Sequence, residues 1–136
     1  KVSLGGAFDA QIHGCSACGF RQIRPRLVDG EVPLLYPADY FDSDSAVGFG
    51  DYARQQQRSE REAYFLAREL RAVLEGGHVL EVGCALGFFL DALRRFSKTR
   101  VEGIDVSPFA AHFARRRFGL EVSATTLEEA VAIMRR

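Results

Sequence analysis

The chain has 136 residues, 47% of them hydrophobic, and its 18 basic side chains balance 18 acidic ones. That is enough apolar material for one folded domain, which excludes a wholly disordered chain, and the charge balance supplies no general field for nucleic acid or an anionic membrane. No apolar run of about 18 residues and no charged-then-apolar leader occurs, so no membrane span or secretion signal is expected.

Three cysteines, two of them in a C-x-x-C, point to the reducing cytoplasm rather than to a disulfide framework. Both ends read as cut, because the sole methionine is Met134 and the last helical pattern runs up to Arg136. A piece of a longer protein is expected.

Residues 1–14 carry no clear pattern. Cys15-Ser-Ala-Cys18-Gly19 follows, and then a stretch with Pro25, Gly30, Pro33 and Pro37 that excludes a long helix. Tyr36, Tyr40 and Phe41 close this section. They read as pins holding it on the layer that follows, with a lid over a ligand as the alternative. From about Asp51 to Glu75 there is no proline or glycine, and apolar positions including Ala63, Leu66, Leu70 and Leu74 share one face. Gly76-Gly77 ends that helix.

A short buried strand, His78 to Val82, then leads into a glycine loop from Gly83 to Gly87. A helix from Phe88 and a strand from Arg100 to Asp105 come next. Ser107 and Pro108 supply the N-cap and first position of another helix, which ends at Gly119 with Arg115, Arg116 and Arg117 in its last turn. Those arginines complement the helix dipole. A third strand, Glu121 to Ala124, precedes a final helix from Leu127. The alternation predicts an α/β fold with a parallel sheet, residues 46–136, preceded by a small segment, residues 1–45.

A strand that ends in a glycine loop and opens a helix makes a cofactor cradle at the carboxyl edge of the sheet. Asp105 lies 22 residues beyond Gly83, about where an acid reaches a ribose diol. A dinucleotide fingerprint would need glycine at 85 and 88, where Ala85 and Phe88 stand. A phosphate loop would need a following Gly-Lys-Ser/Thr, which is missing. The other common arrangement has an acid two residues before the first glycine, and Glu81 holds that place.

The run Val79-Leu-Glu-Val-Gly-Cys-Ala-Leu-Gly-Phe-Phe-Leu90 resembles the first motif of class I S-adenosylmethionine-dependent methyltransferases. Val101-Glu-Gly-Ile-Asp-Val-Ser-Pro108 resembles the second. The resemblance implies a Rossmann-like sheet of which only the first three strands occur here. It implies that Glu81 and the backbone of Gly83, Cys84, Ala85 and Gly87 hold the methionine end. Asp105 would take the ribose hydroxyls, with Val106, Thr126 and Leu127 beside the adenine and Tyr52 crossing the cleft. Ala85 departs from the family's usual middle glycine. The acceptor would be a small molecule such as a sugar, a lipid or another metabolite. The resemblance places acceptor contacts beyond the third strand, so no catalytic residue can be named. A non-catalytic binding module and a fragment of a dinucleotide-dependent oxidoreductase are the alternatives. The first strand would keep an open edge that invites pairing with a second copy.

The C-x-x-C with its following glycine is half of a structural zinc site, with Cys15 and Cys18 as ligands. The segment Gly14–Phe41 is similar to the N-terminal zinc-ribbon-like part of one bacterial methyltransferase group. That similarity implies a second knuckle upstream of Lys1.

Overall fold

A computed structural model of the chain describes residues 2–3, 9–24, 30–41 and 52–134. Their contacts divide the chain into two compact units, Lys1–Val32 and Pro33–Arg136. The expected boundary between residues 45 and 46 lies outside the described residues.

The first unit is an antiparallel hairpin. Strand β2 (Asp9–Gly14) pairs β3 (Arg21–Arg24) in the register Ile12↔Ile23 and His13↔Gln22, and β1 (Val2–Ser3) adds two residues on the outer side of β2. Sequence patterning gave no sign of these strands. The reason is burial: Ile12, Phe20 and Ile23 are all half exposed or more, so no inward face imposes an alternation of apolar and polar residues.

The second unit opens with two 3₁₀ turns, Val32–Leu35 (whose first residue belongs to the hairpin unit) and Ala38–Phe41. Helix α1 (Tyr52–Glu69) follows, then the single turn α2 (Arg71–Leu74). The expected continuous helix to Glu75 is interrupted at Leu70. Hydrogen bonds from Leu70 N–H to Leu66 O and from Leu74 N–H to Leu70 O nevertheless carry across the break. On α1 the buried positions are Ala63 and Ala67. Their small side chains let α1 lie close against α3 (Phe88–Ser97), and Arg95 bridges the pair by bonding Glu60 at 2.9 Å.

Strands β4 (His78–Val82), β5 (Arg100–Asp105) and β6 (Glu121–Ala124) form a parallel sheet in that order. The register pairs Val82 with Ile104 and Asp105 with Ala124, so the three carboxyl ends lie along one edge. Helix α3 connects β4 to β5, α4 (Pro108–Phe118) connects β5 to β6, and α5 (Leu127–Met134) follows β6. Leu90 and Leu93 on α3 are fully buried and centre the core with Val101, Val122, Ala111 and Ala114. Gly103 keeps β5 close to α3, because a Cβ there would come within 2.7 Å of both Cys84 Sγ and Leu90 Cδ1.

The expected caps of α4 are present. The Ser107 hydroxyl accepts from Ala110 N–H, Pro108 takes the first turn, and Gly119 closes the helix at φ 63°. Among the described residues, β4 pairs only with β5, and no helix is long and apolar enough to cross a membrane.

Candidate functional site

Parallel strands bring Glu81, the loop 83–87, Asp105 and the residues after Ala124 to one edge of the sheet. Gly83 sits at φ 77°, and a Cβ built there meets nothing within 4 Å, so this position faces open space. Ala85 also adopts a left-handed φ, 46°, a conformation that glycine takes without strain. That conformation points the Ala85 N–H at Asp105 Oδ2, 2.8 Å away. The other oxygen, Oδ1, accepts from Ser107 N–H at 2.8 Å. Asp105 therefore clamps the loop to the start of α4, a role additional to the expected ribose contact. Each oxygen keeps a further lone pair for a ligand hydroxyl.

The loop uses its backbone donors inside the protein. Gly83 and Cys84 N–H both donate to Ile104 O, Ala85 N–H to Asp105, and Gly87 N–H to Cys84 O. A phosphate cradle needs such groups free and convergent. These four are committed elsewhere.

Glu81 stands two residues before the loop, near the end of β4. Its Oε2 is fully buried, and it is the one such side-chain oxygen or nitrogen among the described residues without a hydrogen-bond partner. Burial, reinforced by the neighbouring Asp105, pushes the Glu81 carboxyl up to about 7. Two acids share a poorly solvated corner with no basic side chain acting on Glu81.

The remaining predicted site residues divide by what they already do. Cys84 is buried against Gly103, and its thiol is pushed up to about 12 by burial and then by Asp105 and Glu81. Gly87 faces inward: a Cβ there would lie 2.8 Å from Leu120 Cδ1 and 2.9 Å from Ala114 Cβ, so close packing of α4 requires it. Val106 is half-buried beside Asp105. Thr126 is the N-cap of α5 in a capping box, its Oγ1 accepting from Glu129 N–H while its own N–H donates to Glu129 Oε2, each at 3.2 Å. Leu127, the first residue of α5, is 44% exposed and free to pack on a ligand. The backbone of Tyr52 opens α1, and its side chain lies outside the described part of the structure.

The aromatic turn, expected to pin its segment onto the α/β layer, packs at this edge. The turn carrying Tyr36, Tyr40 and Phe41 packs on Leu86, Phe88 and Ala110, and Phe41 stacks on Phe109 with centroids 5.7 Å apart. The Ser107 hydroxyl donates to Tyr36 O at 2.9 Å. The Tyr40 hydroxyl is raised by burial and by the charges of Tyr36 and Asp105, which places it in the electrostatic neighbourhood of the carboxylate. The aromatic spacing signals this packing, whereas the serine after Asp105 signals a helix cap and gives no notice of its bond to Tyr36.

In the hairpin unit, Cys15 and Cys18 stand together at the tip, both exposed. Cys15 N–H donates to Phe20 O, Gly19 N–H to Cys15 O, and Gly19 turns the chain at φ 74°. The Cys15 thiol is lowered by backbone N–H donation from Cys18 and Ala17 and by the Cys18 side chain. Among the described residues no group of three or more His, Cys, Asp or Glu could hold a metal ion.

No protein-family model and no curated protein matches the chain. Among solved structures, the chain is similar to an S-adenosylmethionine-dependent methyltransferase from Bacteroides fragilis in complex with S-adenosyl-L-homocysteine. The identity is 25%, the match covers 49% of this chain and 30% of that one, and the TM-score is 0.38.

Proposed function

We propose that the Pro33–Arg136 unit binds S-adenosylmethionine and forms the donor side of a methyltransferase acting on a small-molecule acceptor. The observation that carries this reading is the buried, unpartnered Glu81 Oε2, one strand away from Asp105 at the sheet edge where Gly83 faces open space. The residues fit the group. Glu81 offers a carboxylate to an amino cation, Asp105 keeps a lone pair on each oxygen for a diol, and Leu127 offers apolar surface to a base. When bound, the cofactor supplies an electrophilic methyl group, and in-line placement of the acceptor contributes much of the rate. Ala85 and Phe88, where a dinucleotide fingerprint needs glycine, weigh against a dinucleotide.

Calorimetric titration with S-adenosylhomocysteine, with NAD as control, tests the reading. Binding is expected with S-adenosylhomocysteine alone. Asp105→Ala should weaken it at least about tenfold, since a hydrogen bond to a charged group is worth roughly 1.5–3 kcal/mol. Loss of the loop clamp adds to that effect, and circular dichroism of the variant separates loop loosening from unfolding. Binding of NAD, or unchanged affinity in the variant, would overturn the assignment.

For the hairpin, we propose Cys15 and Cys18 as two ligands of a structural zinc ion. The support is their common position at the tip and the donors that favour the Cys15 thiolate. Cobalt(II) titration should produce thiolate-to-metal absorption that Cys15→Ser abolishes. A spectrum without such bands would remove the metal from the account.

A further inference from the structure

The cofactor reading treats Glu81 as a carboxylate ready to receive an ammonium group. The geometry describes a harder task. Oε2 is buried without a donor, and the facing group is a second acid, Asp105, at the end of the adjacent strand. The other titratable neighbours supply no positive charge. Cys84, in the loop, is a buried thiol. Tyr40, on the 33–41 turn, is a phenol beside Asp105. On α3, Asp91 is engaged by Arg94 at 2.9 Å and by Arg95 at 3.0 Å. An ionised carboxylate in such a place has one oxygen shielded from water and no counter-charge, so the neutral acid is favoured until a cation arrives.

We propose that ligand entry at this site expels a proton: Glu81 is a carboxylic acid in the empty site and a carboxylate when a ligand's amino cation occupies it. The inference rests on the cofactor reading above. In the step, the Glu81 O–H bond breaks, its proton passes to solvent, and the electron pair left on oxygen accepts from the ligand's N–H. No bond to the ligand is made covalently and no other reactant is needed. Linkage then fixes the pH dependence. Below neutrality each ligand bound releases close to one proton, and apparent affinity drops about tenfold per pH unit of acidification. Above neutrality Glu81 is already ionised in the empty site, the release fades, and affinity levels off.

The test is calorimetry of S-adenosylhomocysteine binding in pairs of buffers with different ionisation enthalpies, from about pH 5.5 to about pH 8. The companion ligand is 5′-deoxy-5′-methylthioadenosine, which keeps the nucleoside and thioether and lacks the amino acid end. Proton release near one per ligand at the acid end is expected for S-adenosylhomocysteine, and none for the companion. In Glu81→Gln the release should vanish, while the companion binds as to the parent protein.

Binding of S-adenosylhomocysteine without proton release, or release that persists in Glu81→Gln, would overturn the inference and leave the cofactor reading standing. Failure of both ligands to bind a folded sample would overturn the cofactor reading itself. A ligand-free check covers the acid alone. The Glu81 carboxyl carbon, followed by isotope-edited NMR, should titrate near neutrality, and titration in the ordinary carboxylate range would defeat the proposal.

Discussion

Two short turns in this chain are made of the same parts and do opposite things. The hairpin tip, Cys15–Phe20, and the glycine loop, Gly83–Gly87, each follow a strand, each contain cysteine, and each bend at a left-handed glycine, φ 74° at Gly19 and 77° at Gly83. Under the tip no described residue forms a core: Ile12, Phe20 and Ile23 are exposed, both thiols face water, and backbone donors lower Cys15. Under the loop lie Leu90, Leu93 and Gly103, and the same donors are spent holding the turn to β5. Cys84 is buried there and pushed up to about 12. Residue type selects what a turn could do, and the layer beneath decides which option is realised. The tip presents sulfur, while the loop hides its sulfur and presents space.

The sharpest way to break that comparison is to measure thiol reactivity. With a neutral alkylating reagent near pH 7, Cys15 and Cys18 should react at rates typical of exposed thiols. Cys84 should wait for opening of the α/β unit. For a domain of ordinary stability that is a slowing on the order of a thousandfold or more. Mass spectrometry of timed samples assigns each site. Comparable rates for Cys84 and Cys15 would mean that the loop is not packed on β5 as described, and the site argument would lose its floor.

Legibility from sequence follows the same division. The order from β4 to α5 could be read because short apolar strands, glycine turns and capped helices alternate there at regular spacing, although β4, expected to be buried, leaves Leu80 and Val82 exposed. Ser107, Pro108 and Gly119 announced α4 through local chemistry that needs no tertiary partner. The hairpin could not be read, since exposure on both faces leaves no periodic signal. At the site, Glu81 and Asp105 were found by spacing, but the second duty of Asp105 was hidden. It depends on the direction of one backbone N–H, set by a left-handed φ at Ala85, and an alanine gives no notice of that conformation.

Ala85 also sharpens the comparison, through the smallest effect considered. At φ 46° its Cβ crowds the following carbonyl, a cost of about 1–2 kcal/mol that glycine avoids. Against this, Ala85→Gly frees the unfolded chain, at about 0.4–1 kcal/mol. It also removes a half-buried methyl that packs with Leu86 and Phe88, which forfeits a fraction of about 0.8 kcal/mol. The balance is a gain of roughly 0–1 kcal/mol in urea unfolding of the protein. The Ala85 N–H that bonds Asp105 is retained, so the clamp survives and S-adenosylhomocysteine affinity should hold or improve as the loop's open side widens. A loss of more than about 1 kcal/mol would show that packing under the loop, rather than backbone strain, governs position 85. The loop would then be a continuation of the core, and the freedom ascribed to its open side would have to reside at Gly83 alone.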